Sequence, residues 1–272
     1  MREYLYMDEN ELGKDAKIPL VKLGDSGEVF YEMALDMVRT IQNNNKENKK
    51  TVFICPVGPV GQYPIFVRLV NTYQVDLKNC WFINMDEYLD DEKEWIPKED
   101  LLSFRGFMER EVYSKINHNL VMPQNQRIFP NPNNLSYIDE IITQLGGVDV
   151  CYGGIGINGH LAFNESEPTY SIEEFSELKT RVLPISKETR VMNSVGEFSG
   201  AIELMPKYCV TIGMKNILNA KRIVLACFRD WHRAVVRHAC YGEVSASFPV
   251  TLVQNHNNAK ILINSNVAKS IR

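Results

Sequence analysis

A chain of 272 residues with 44% hydrophobic and 24% charged side chains is long enough to bury a full core as one domain and has the balance of a soluble globular protein. Thirty Lys and Arg against thirty-four Asp and Glu leave a net charge of −4, so no overall field draws the chain to nucleic acid or to an anionic membrane, and any anion site must be local. No stretch approaches the roughly 20 apolar residues of a spanning helix, and the opening MREYLYMDENELGK is too polar for a secretory signal, which predicts a cytoplasmic protein.

The polar, basic patch IQNNNKENKK at 41–50 reads as an exposed helix end and loop ahead of the first clear strand. Apolar, β-branched runs bounded by Gly or Pro follow at 51–55, 81–84, 148–152, 209–212, 222–228 and 260–263, each the pattern of a buried parallel strand. Helical periodicity falls between them, at 62–73, 98–114, 135–145 and 230–241. Strands alternating with helices predict an α/β fold, a parallel sheet with helices on both faces. No repeat and no Pro- or Ser-rich linker divides the chain, so a single domain over 1–272 is expected. Cysteines at 55, 80, 151, 209, 227 and 240 lie far apart, mostly inside apolar runs, and read as reduced core thiols, not as disulfides or a zinc cluster.

Ligands of open parallel sheets bind beyond the carboxyl ends of the strands. Three strand ends run into unusual sequence: FICPVGPVGQYP, WFINMDEYL and DVCYGGIGINGHLAFNE. In the first, Val57, Gly58 and Gly61 lie on a strand-to-helix loop able to contact substrate through backbone amides. As a phosphate cradle the loop is poor, because Val57 and Val60 bring no hydroxyl, Pro59 has no amide donor and no Lys follows. Plain strand-to-helix packing is the alternative. In the second, Asp86 and Glu87 offer at least one carboxylate at the ligand end of the sheet, with a helix cap or a surface ion pair as the other reading.

In the third segment Gly154, Gly156 and Gly159 form GxGxxG, the pattern of a dinucleotide loop. The continuation HLAFNESEP reaches Pro168 without opening a helix, so these glycines are read as tight turns around a ligand. His160 follows Asn158 by two residues and precedes Glu165 by five, a spacing that suits a general acid or base with a carboxylate to steady it. Further on, RDWHRAVVRHACYG gathers Arg229, His232, Arg233 and Arg237 near the start of a late helix. Cations there oppose the helix dipole, so an anionic ligand is one explanation and a solvated face or an oligomer contact is another.

Taken together, NMDEY at 84–88 and GGIGINGHLAFNE at 153–165 resemble the glucosamine-6-phosphate deaminase/isomerase family, and TRVLPISKETRVMNS at 180–194 and MPKYCVTIGMKNIL at 205–218 extend the likeness. The resemblance implies a modified doubly wound (Rossmann-like) fold, no metal, no organic cofactor, a small-molecule sugar phosphate as ligand and usually a homo-oligomer. It implies that His160 opens the pyranose ring, that Asp86 carries a proton from C2 to C1, that Glu165 supports the histidine, and that ammonia and fructose 6-phosphate are the products.

The departures are as informative. Asn158 stands where the family has Asp; in a serine-protease triad the same exchange costs about 10⁴ in turnover. Val57 and Val60 replace hydroxyl residues, Val195 stands at an Arg position and His232 at a Lys position. These changes leave open a different or unphosphorylated amino sugar and a non-catalytic sugar-binding role. Phosphogluconolactonases share a similar glycine loop, but NMDEY and AFNE point to the deaminase branch. Leu183 beside Arg181 argues against allosteric control.

Overall fold

A strand that is apolar at every position must be covered on both faces. The computed structural model meets that requirement with a three-layer arrangement. It describes residues 3–271, so residues 1, 2 and 272 of the expected domain lie outside it.

The chain opens with β1 (Leu20–Leu23), α1 (Ser26–Lys46), β2 (Thr51–Cys55), α2 (Gln62–Tyr73), β3 (Cys80–Asn84) and β4 (Asp86–Leu89). It continues through α3 (Phe104–Glu111), β5 (Arg127–Ile128), α4 (Tyr137–Leu145), β6 (Val150–Gly154), α5 (Ile172–Ser176), β7 (Arg181–Pro184) and α6 (Lys187–Glu197). Last come β8 (Tyr208–Thr211), α7 (Met214–Leu218), β9 (Ile223–Cys227), α8 (His232–Tyr241), β10 (Ala259–Asn264) and α9 (Ser265–Ala268). Seven strands form a parallel sheet in the order β1-β10-β9-β6-β2-β3-β5, and β4-β8-β7 form a small antiparallel sheet.

The two-residue period of a strand divides the core. Phe53, Cys55, Phe82, Val150, Tyr152 and Val224 face the cluster under α1, α2 and α3, while Val52, Ile54, Ile83, Cys151, Leu225 and Ile263 face the one under α4, α7 and α8. Helix α1 starts where the Asp25 side chain accepts from the Glu28 amide at 2.9 Å, and its stripe of Val29, Met33, Met37, Val38 and Ile41 is buried. Helix α2 buries Tyr63, Phe66, Val67 and Val70, each worth about 1.5–3 kcal/mol by removal from water. All six cysteines are buried and unpaired.

Two expectations change. The run at 209–212 is β8, antiparallel to β4 and β7, not a strand of the main sheet. An apolar run reports burial, not direction: Cys209 and Val210 are both buried, and Cys209 packs in the cluster of Tyr88, Phe163 and Met205. The helix expected over 98–114 is only Phe104–Glu111, because Ser103 caps it by accepting from the Gly106 amide at 3.1 Å and turns precede it. Short strands β1, β4, β5 and β7 carry too few residues for a periodic signal. After β6 no helix forms before α5, as the glycine segment led one to expect.

Arg237 does not face an anion. It is fully buried within α8 and donates to the carbonyls of Met7 (2.8 Å), Arg233 (2.9 Å), Ala268 (3.0 Å) and Lys269 (3.0 Å), tying the amino-terminal segment and the end of the chain to one helix. Replacing Arg237 with Leu strands these buried carbonyls, and we predict a loss of about 3 kcal/mol or more in denaturant unfolding.

Candidate active site

The order of the main sheet creates the site. From β2 the chain proceeds outward through β3 and β5, whereas β6, β9 and β10 lie on the other side, so β2 and β6 are neighbours whose following loops diverge. The two loops nonetheless touch: a Cβ on Gly154 would stand 3.1 Å from the Gly58 carbonyl, so a side chain there would push the first loop away.

Asp86 follows the end of β3 because that strand runs through Met85 directly into β4. The Met85 amide still bonds the Cys55 carbonyl of β2 at 3.0 Å, after which Asp86 pairs with Thr211 of β8. The Asp86 side chain is 7% exposed and has no hydrogen-bond partner among the described residues. Burial, reinforced by the Glu87 charge, pushes its carboxyl well above the ordinary carboxylate range. Glu87 points elsewhere. Its oxygens accept from the Phe104 amide (2.9 Å), the Arg105 amide (2.9 Å), Ser103 Oγ (3.0 Å) and Arg105 Nε (3.1 Å), so it holds the start of α3 and is engaged there instead of with ligand.

His160 lies in the loop after β6. A Cβ on Gly156 would come within 2.0 Å of the His160 ring, so the ring occupies space that only glycine leaves open. Gly159 takes φ +79°, turning the chain against Phe248. The Nδ1 of His160 lies 2.7 Å from Asn158 Oδ1, which fixes the neutral ring as the Nδ1–H tautomer and leaves Nε2 without a partner among the described residues. Asn158 thus does hold the tautomer, through its carbonyl oxygen, although it brings no charge. Burial keeps the imidazole below its ordinary pKa, and Glu165 opposes this in part.

Glu165 lies 3.8 Å from Nδ1, too far for a hydrogen bond. Its carboxylate accepts from the Ser186 amide (2.6 Å), from Ser186 Oγ (2.8 Å) and from Thr189 Oγ1, and Thr189 Oγ1 in turn lies 3.4 Å from His160 Nδ1. The carboxylate therefore reaches the imidazole across a hydroxyl. Ser186 and Thr189 escaped the sequence reading of the site; the signal present was the cap pattern SKET at the start of α6, which reads as structure alone. Asp86 and the His160 loop are linked through β8: Thr211, paired with Asp86, accepts at its hydroxyl from the amide of Phe163, two residues before Glu165, at 3.1 Å.

The remaining expected residues separate. Val57 packs partly buried against the core, Val60 is 38% exposed, Gly58 takes φ +136°, and Gly61 sits against Phe30 at the start of α2. His232 is buried with both ring nitrogens engaged: Nδ1 accepts from the Phe228 and Arg229 amides (3.1 and 2.9 Å) and Nε2 donates to the Ile155 carbonyl (3.1 Å). Burial drives its pKa down to about 3, so it is neutral and joins the β9 loop to the β6 loop; it offers no charge to a ligand. Arg229 remains exposed at the end of β9. A cavity of about 270 Å³ lies apart, between Trp95, Arg105, Tyr113 and Arg127 at the β5 edge.

No protein-family model matches the chain. It is 28% identical over 232 residues to a glucosamine-6-phosphate deaminase of Mycoplasma mycoides subsp. mycoides, covering 85% of this chain and 88% of that protein. It is 27% identical over 252 residues to a glucosamine-6-phosphate deaminase of a Thermoanaerobacter species, covering 89% and 92%. The solved structure of a monomeric glucosamine-6-phosphate deaminase superposes with a TM-score of 0.79 at 25% identity over 93% of this chain and 99% of that one. A 6-phosphogluconolactonase from Trypanosoma cruzi shares the fold, with a TM-score of 0.63 at 16% identity over 92% of this chain and 95% of that one.

The hydrogen bond at Nδ1 makes the His160 pKa a readout of residue 158. Asn158→Asp sets a carboxylate against Nδ1 and stabilises the imidazolium, so the pKa followed by imidazole NMR is expected to rise. An unchanged value would mean that the two side chains do not meet.

Proposed function

We propose that the chain is a diverged member of the glucosamine-6-phosphate deaminases, an aldose-to-ketose isomerase and deaminase that converts glucosamine 6-phosphate and water to fructose 6-phosphate and ammonia. One observation carries the reading. A buried carboxylate with no partner among the described residues, Asp86, pairs in β4 with Thr211, whose hydroxyl accepts from the amide of Phe163, three residues beyond a histidine whose Nε2 is without a partner among them and whose other nitrogen is tied down. A binding protein gains nothing from burying an unpaired carboxyl, which costs folding free energy, whereas proton transfer at carbon needs a base raised above the ordinary carboxylate range.

In this mechanism Nε2 of His160 takes the C1 hydroxyl proton and returns a proton to the ring oxygen, which opens the sugar. The Asp86 carboxylate removes the C2 proton, leaving an enolamine, and delivers a proton to C1 to form the ketose imine. Water adds at C2 and ammonia departs. Thr189, between Glu165 and His160, passes the carboxylate's influence to the imidazolium formed in the first step, and Asn158 holds the ring's orientation. Glycines 58 and 61 lend backbone amides, and the residues required are all protein groups.

A second reading, an unphosphorylated or different amino sugar, draws support from Val57 and Val60, which line the first loop with methyl groups where an anion would want donors.

Ammonia release from glucosamine 6-phosphate tests the proposal. Asp86→Asn is expected to lose about 10²–10⁴-fold in kcat, and Asn158→Asp to gain. Because the Asp86 pKa is raised and the carboxylate is the active form, kcat should fall with decreasing pH at values above the ordinary carboxylate range of about 4. Folded protein that releases no ammonia in either the wild type or Asn158→Asp would sink the reading.

A further inference from the structure

Of Arg105, Arg181, Arg190, Arg229 and Arg233, on or beside the elements around the crevice, four have engaged side chains. Arg105 donates to Glu87 and the Ile96 carbonyl and stacks on Trp95. Arg181 donates to Asn164 Oδ1 at 2.7 Å, Arg190 to the carbonyls of Ile202 and Met205 at 3.2 Å, and Arg233 to Asn266 and Ser270. The Arg229 side chain alone of these makes no hydrogen bond or ion pair among the described residues; its guanidinium lies over the Phe228 ring, 5.8 Å from the centroid.

Its placement is specific. The two hydrogen bonds that His232 Nδ1 accepts from the Phe228 and Arg229 amides fix the backbone from which the side chain leaves. The guanidinium then reaches α6: a Cβ on Gly196 would stand 3.8 Å from Arg229 Nη1. Seven residues earlier on the same helix, Thr189 meets His160 and Glu165. At about 1.5 Å per residue the two points are about 10 Å apart along the helix, a span comparable to that from C1 to the phosphate of an open-chain hexose phosphate. Val195, beside Gly196, is 63% exposed and supplies no charge.

We propose that Arg229 is the specificity-determining residue that selects a phosphorylated over a neutral sugar, its guanidinium reaching the phosphate from the end of β9 beside α6. This rests on reading the crevice as a sugar-phosphate site. It gives the anion a cation that neither Val195 nor the neutral His232 can provide, and an arginine fork suits a phosphate better than a point charge does. The competing role is structural: a cation near the end of α6 complements the helix dipole.

Calorimetric binding of fructose 6-phosphate, with fructose as the neutral comparator, separates the two and needs no turnover. Arg229→Gln should weaken fructose 6-phosphate by about 10- to 100-fold and leave fructose unchanged, with Arg229→Lys intermediate. Equal affinity in wild type and Arg229→Gln, equal weakening of both ligands, or a wild type that binds fructose 6-phosphate no better than fructose would overturn it. A chain that binds in this pattern yet releases no ammonia would overturn the deaminase reading and leave the role of Arg229 standing.

Discussion

The divergence of the chain at β2 and β6 is the constraint from which the site follows. Both strands are buried on both faces, so neither can shift without opening a core of Phe53, Ile54, Cys151 and Tyr152. Their loops leave in opposite directions yet meet where Gly154 lies against the Gly58 carbonyl. Everything proposed to touch substrate hangs on this seam: Asp86 one strand away through Met85, His160 six residues beyond Gly154, and Arg229 two residues past the neighbouring β9.

Around that seam the protein commits its polar groups unequally. Glu87, Arg105, His232 and Arg237 have their hydrogen bonds filled by other parts of the chain and serve to hold elements together. Among the described residues, the side chains of Asp86 and Arg229 and the Nε2 of His160 have none filled. The contrast between neighbours is sharp, since Asp86 and Glu87 share a strand and both carboxyls are raised by burial, but only Glu87 is met by amides and a guanidinium. Uncommitted groups in such places are what a ligand would satisfy.

Much of this was legible in the sequence, and the limits have physical causes. Helix α2 was expected at its observed bounds because its apolar stripe is regular, and in the fold Gln74 ends it in a left-handed conformation. The small antiparallel sheet was not, because four-residue strands pair by direction, which an apolar run does not encode. His160, Asn158 and Glu165 were singled out from their spacing in one loop, but their contacts could not be: the hydrogen bond to Nδ1 belongs to Asn158, and Glu165 reaches toward the ring across Thr189, which arrives from a helix 24 residues later in the chain. His232 among arginines leaves an anion contact and a solvated or oligomer face both open from sequence; only the fold reveals that backbone groups fill both its nitrogens.

The central claim is that one carboxylate moves a proton between adjacent carbons of an amino sugar phosphate. Glucosamine 6-phosphate carrying deuterium at C2 tests it most directly, with the product examined by NMR. The account predicts ammonia release together with deuterium at C1 of fructose 6-phosphate, and neither from Asp86→Asn. Deuterium that stays at C2 of an unchanged substrate, or label transfer that survives loss of the Asp86 carboxylate, would contradict it.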